Sequence, residues 1–215
     1  MLRRCLFIAA LIAGASYWLA GPIATSGVLP TIWKGAGVGL LAGWAASVAR
    51  ERDGWLLAGV MALGATGDVL LEVAGLTIGA VAFLAGHVVA IVLYWRHRRT
   101  PRSGSDTIVA GLLLAGTPAV SCLLTHDAGV ALYATGLGGM AASAWISEFP
   151  RARVGLGAIL FVVSDWLIFA RGGVLAESAI PDLFVWPTYF VGQALIAWGV
   201  VMALENEHEG LHDRL

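Results

Sequence analysis

Two carboxylates stand alone inside long apolar stretches. Asp68 follows Gly67 in MALGATGDVLLE, Met61 to Glu72, and Asp165 follows Ser164 in GAILFVVSDWLIFA, Gly157 to Ala170. Each stretch lies in a run long and apolar enough to cross a bilayer. An ionisable residue there costs roughly 2.5–3.5 kcal/mol to insert, so by default it marks a functional site. Two carboxylates that share a chamber do not both ionise readily; one keeps its proton while the other carries charge. That gives an acid and a base from one residue type. Such a pair suits a hydrolysis that begins by protonating the substrate and ends by activating a water.

The composition fixes what must position these residues. The mean hydropathy is +0.82, and only 13% of residues are charged, against about 25% in a soluble domain. Eight apolar runs can be drawn: Leu2–Ala20, Val28–Ala49, Trp55–Glu72, Leu76–Trp95, Thr107–Leu124, Ala128–Ile146, Arg153–Ala170 and Leu183–Leu204. Each approaches the ~20 residues of a transmembrane helix, and in lipid only helices satisfy the backbone of such a run. The expected fold is all-α, a polytopic membrane bundle of eight transmembrane helices forming one domain over residues 1–204. Residues 205–215 read as a polar cytoplasmic tail, solvated or a frayed helix end.

Arginines punctuate alternate loops: Arg3 and Arg4, Arg50 and Arg52, Arg96 to Arg102, Arg151 and Arg153, and Arg214, with only Arg171 on the other side. The positive-inside rule then places both termini in the cytoplasm, and a multi-pass protein of the bacterial inner membrane is expected. Arg3-Arg4, the first apolar run and Ala20-Gly21 also describe a signal peptide; a retained first helix is the preferred reading. Trp18, Trp33, Trp55, Trp95, Trp145 and Trp186 sit near run ends, as interfacial aromatics do. Cys5 and Cys122 read as small apolar fillers, not a disulfide or metal pair. The stripe Gly35, Gly39, Gly43 reads as helix packing.

This topology serves as a depth ruler at 1.5 Å per residue. Lys34, Asp68, Asp165 and Tyr189 fall about four to six residues below the outer surface, or ~6–9 Å. Gln193 lies one turn deeper, and His87 nearer the middle. Nothing comparable is expected in the inner half. One polar pocket in the outer half is the inference. Each member also has a plain structural reading. Lys34 could snorkel to headgroups or pair with Asp68. His87 could be a hydrogen-bonded core histidine. Tyr189 and Gln193, i,i+4 on one face, could be interhelical glue. Glu72 reads as solvated. Gly67-Asp68 resembles Ser164-Asp165, and Gly86-His87 resembles Gly192-Gln193, four helices apart in each case, which suggests a parallel internal repeat.

Other chemistry finds little support. No HExxH or CxxC spacing points to a metal site, and no GxSxG elbow is present. Ser164 has no histidine within its own helix to activate it. Basic patches with interleaved aromatics are absent, so nucleic acid is not an expected partner. No cofactor is expected.

At these residues the chain resembles the YhhN/TMEM86 lysoplasmalogenase family. The likeness rests on the lysine of Trp33-Lys34-Gly35, on LGATGDVLL ending at Leu71 and on AFLAGH ending at His87. It continues in GAILFVVSDWL ending at Leu167 and PTYFVGQALIA ending at Ala197. Two positions depart from it: Gly35 stands where the family usually has proline, and Ala90 where it often has tyrosine. The resemblance implies a metal-independent membrane hydrolase. Its substrate would be a lysoplasmalogen drawn from the bilayer, cleaved at the vinyl ether to a fatty aldehyde and glycerophosphocholine or glycerophosphoethanolamine. Asp68 and Asp165 would divide the acid and base roles. Lys34 would hold the phosphate or tune a carboxylate, while Tyr189, Gln193, Ser164 and His87 would orient water and the ether oxygen. The rival reading is a proton-coupled transporter of a small molecule or lipid using the same pocket. The absence of helix-breaking proline within these runs argues against it.

Overall fold

The computed structural model describes residues 2–21 and 27–212. Eight α-helices follow in order: α1 (Leu2–Ala20), α2 (Val28–Val48), α3 (Arg52–Val73), α4 (Leu76–Arg96), α5 (Gly104–Thr125), α6 (Ala128–Trp145), α7 (Leu156–Ala170) and α8 (Ile180–His212). A π-helical turn, Arg151–Gly155, leads into α7. No strand occurs among the described residues. Among the described residues, six segments are long and apolar enough to cross a membrane: α1, α3, α4, α5, α8, and α7 together with its π turn. The other two helices, α2 and α6, are diluted by glycine, alanine and tryptophan, which pack well but are weakly apolar.

The helices are packed largely in sequence, α1 on α2, α2 on α3, α3 on α4, then α4 on α6, α6 on α7 and α7 on α8. Because α8 also touches α1, α2 and α3, it closes the ring and is the hub of the bundle. Among the six spans α8 is the most buried, and α1 and α5 the least. The α7–α8 seam depends on glycine. A Cβ on Gly157 would lie 2.6 Å from the Gly192 carbonyl oxygen, and one on Gly192 would lie 2.7 Å from that of Gly157. Small residues that let backbones approach this closely hold helices together in lipid, where hydrophobicity cannot. The α2 stripe is only partly used: Gly35 faces Val69 and Gly39 faces Ala65, but Gly43 meets open space.

Several expectations need correcting. Proline does occur inside helices, Pro118 in α5 and Pro187 in α8. Pro187 has no N–H to give the Leu183 carbonyl four residues back, and the indole of Trp18 donates to that carbonyl instead, at 3.0 Å. Trp186 is buried within the bundle and donates to the Gly14 carbonyl at 2.8 Å. Together these two indoles tie α1 to α8. Cys5 and Cys122 are exposed on the outside of the bundle, so they are not core fillers. Residues 205–212 continue α8.

The arginine-bearing ends gather at one end of the bundle. Arg3 lies 3.8 Å from Glu205, and His208 lies 3.7 Å from Glu51. Two helices begin earlier than the apolar runs suggest, which makes Asp53 and Asp106 first-turn residues of α3 and α5. An acid there complements the helix dipole. Asp53 binds Arg96 at 2.6 Å and His97 at 2.9 Å, and Asp106 binds Arg151 at 2.5 Å. Half-buried acids therefore do exist at this arginine-bearing end, but each is matched by a base. At the opposite end Arg171 pairs with Asp182 at 3.2 Å.

Gly157→Val is expected to force α7 and α8 apart and to destabilise the bundle by about 1–3 kcal/mol. Thermal unfolding of the purified protein in detergent measures this. Gly43→Val, pointing into open space, is the control and is expected to leave the midpoint unchanged.

Candidate functional site

Both aspartates point into the bundle. Asp68 is 2% exposed and Asp165 6%. A carboxylate removed from water needs a donor, and each has one. Tyr189 of α8 donates its hydroxyl to Asp68 Oδ2 at 2.9 Å. Tyr133 of α6 donates to Asp165 Oδ2 at 2.6 Å. The same Tyr133 hydroxyl lies 3.2 Å from His87 Nε2, which joins α4, α6 and α7 in one chain of hydrogen bonds. The internal repeat does not extend to these partners, since α8 serves one carboxylate and α6 the other.

Aromatic rings fill the space between the two pairs. Phe161 stands edge-on to Tyr189 at 5.1 Å and to His87 at 5.0 Å. Phe83 stands edge-on to Phe161 at 5.9 Å and to Tyr189 at 5.8 Å. Edge-to-face contacts of this kind fix ring orientation as well as burying area. Beside them lies a narrow cavity lined by His87, Gln193, Gly64, Phe83 and Phe161, with room for little more than a water molecule. A Cβ on Gly64 would meet Gln193 Nε2 at 3.1 Å and the Tyr189 hydroxyl at 3.5 Å, which places those two polar groups side by side over α3.

Two expected members are engaged elsewhere. Lys34 Nζ is bound to Glu72 at 2.6 Å. Glu72 is thus an ion-pair partner and not merely solvated. Ser164 is buried, but its hydroxyl donates to the Val185 carbonyl of α8 at 2.9 Å, next to the break at Pro187. It fastens α7 to α8 and does not face the cavity. Sequence reasoning missed Tyr133. The depth ruler could have found it: Tyr133 lies five residues into α6 (133 − 128) and Asp165 five before the end of α7 (170 − 165), on helices that meet at the same end. Ala90, which stands where the family often has tyrosine, is buried on α4. The hydroxyl that meets His87 comes from α6 instead.

Fold and site together define a polytopic helical protein of membrane-spanning character. Its core holds two carboxylates, each bonded to a tyrosine, on either side of an aromatic cluster. The YhhN family model matches residues 29–200, and the chain belongs to the YhhN family. No curated protein matches the chain, and no solved structure does.

Tyr133→Phe removes the donor to a buried carboxylate and the partner of His87. It is expected to cost about 1–3 kcal/mol. The double variant Tyr133→Phe with Asp165→Asn is expected to recover part of that loss, because a neutral amide tolerates the missing hydroxyl better. Chemical denaturation of the four proteins in the cycle checks it.

Proposed function

We propose that this protein is a membrane-embedded hydrolase that cleaves the vinyl ether bond of lysoplasmalogens. The observation that carries the reading is the pair of buried aspartates, each on its own tyrosine, sharing one aromatic core. Vinyl ether hydrolysis needs one proton given and one water activated, and the two carboxylates divide these tasks. The protonated carboxyl adds its proton to the alkenyl carbon beta to oxygen, leaving an oxocarbenium ion. The ionised carboxylate takes a proton from water as the water oxygen bonds to the cationic carbon. The resulting hemiacetal breaks its bond to the glycerol oxygen, which gains a proton, and the fatty aldehyde leaves. The sum is one water consumed. His87 and Tyr133 connect the cavity to Asp165, and Gln193 and Tyr189 face the Asp68 side. Ser164 positions α7 against α8.

In this reading all eight helices cross the bilayer of a bacterial inner membrane, with the arginine-rich end and both termini in the cytoplasm. The site then lies near the outer surface, and the lysophospholipid enters sideways from the membrane.

Purified protein in detergent, given a 1-alkenyl lysophospholipid, is expected to release a fatty aldehyde, followed by reduction of NAD in a coupled aldehyde dehydrogenase assay. Asp68→Asn and Asp165→Asn are each expected to lower kcat by about 10²–10⁴-fold while the protein stays folded. A wild type that releases no aldehyde overturns the proposal. If that protein instead carried a polar solute into liposomes along with protons, the site would belong to a transporter.

A further inference from the structure

Lys34 and Glu72 form an ion pair at the rim of the Asp68 half of the site, 2.6 Å apart. The lysine side chain is 15% exposed and the glutamate 43%, so the pair spans from the core to the surface. Glu72 lies four residues after Asp68 on α3, one helical turn or about 6 Å further out. Phosphorus and the ether oxygen of a glycerophospholipid are separated by five bonds, also about 6 Å end to end at ordinary bond lengths. An ether group placed at Asp68 therefore leaves its phosphate at the level of Lys34 and Glu72.

An aromatic wall connects the two levels. Trp33 meets Tyr17 at 6.2 Å, Tyr17 meets Trp186 at 4.6 Å, and Trp186 meets Tyr189, the residue that holds Asp68, at 5.6 Å. Ring faces attract ammonium groups, methylated ones included.

We propose that Lys34 and Glu72 read the headgroup, Lys34 taking the phosphate and Glu72 the ammonium. The site then selects zwitterionic over anionic lysophospholipids. This deepens the hydrolase reading and rests on it for the placement of the ether. A partly exposed ion pair contributes little net stability, so opening it is cheap. A zwitterion replaces one ion pair with two charge-assisted contacts. A phosphomonoester offers Lys34 its partner but sets a second anion beside Glu72, and that repulsion is the discriminating element.

Binding can be tested apart from cleavage with 1-alkyl lipids, which lack the vinyl bond. Calorimetry in detergent compares 1-alkyl lysophosphatidylethanolamine with 1-alkyl lysophosphatidic acid. The wild type is expected to bind the zwitterion at least about tenfold tighter, a difference of about 1.4 kcal/mol. Glu72→Gln is expected to bring the ratio near unity, weakening the zwitterion and strengthening the phosphomonoester that Glu72 repels, and Glu72→Asp to retain the preference. Lys34→Gln is expected to weaken both lipids. If Glu72 merely held Lys34 in place, Glu72→Gln would weaken both lipids alike and leave the ratio unchanged, and that result overturns the proposal. A protein that binds with the expected preference yet releases no aldehyde refutes the hydrolase reading and leaves headgroup recognition standing.

Discussion

The structure is organised around one requirement: two carboxylates are held out of water, and each must be given a hydroxyl. An unpaired carboxylate in a core would cost several kcal/mol, more than a helix contact in lipid returns. The Asp68–Tyr189 and Asp165–Tyr133 bonds meet that requirement, and they dictate much else. Tyr189 reaches Asp68 only if α8 crosses close to α3. Tyr133 reaches Asp165 only if α6 lies beside α7. The order of packing around the ring follows from these two demands as much as from connectivity.

Close packing is what makes the two demands compatible. The α7–α8 seam is drawn tight by the mutual approach of Gly157 and Gly192, which leaves room on the inner faces for Phe161 and Tyr189. Pro187 interrupts the ladder of α8, two residues before Tyr189. Around this break Trp18 caps the freed Leu183 carbonyl and Ser164 binds the Val185 carbonyl. The segment of α8 that carries the site is thus held by side chains from α1 and α7 in addition to its own backbone. A site built on restrained helices keeps its geometry better than one built on loops.

Much of this was legible in the chain, and the limits have physical reasons. Hydropathy located all eight helices, because in lipid a run of apolar residues has one stable conformation. Position along each run singled out Asp68, Asp165 and Tyr189, because helical rise is fixed, and the structure buries all three. What depth does not carry is azimuth. Lys34 and Asp68 fall at similar levels, yet the lysine turns to Glu72; Ser164 adjoins Asp165 in sequence, yet its hydroxyl faces α8. Helix starts were misplaced at Asp53 and Asp106, because polar first turns lie outside the apolar run but inside the helix. Tyr133 was overlooked because a lone tyrosine carries no formal charge and so raises no alarm in a hydrophobic run.

The family match begins at residue 29, so α1 lies outside it, although α1 is not peripheral to the site. Its Gly14 carbonyl receives Trp186, and its Tyr17 ring packs on Trp186 and Trp33 at the rim. The matched segment thus holds both carboxylates, both tyrosines and His87, while the unmatched helix supplies part of the wall facing Lys34 and Glu72. Trp33, Lys34 and Glu72 lie within the matched segment as well, so α1 completes this rim and does not stand apart from it. Between α1 and the carboxylate core stands Trp186, held by the Gly14 carbonyl on one side and packed on the Tyr189 ring on the other. A change at Gly14 or Tyr17 is therefore felt at Asp68 through Trp186 and Tyr189, and α1 belongs to the packing that fixes the Asp68 pair.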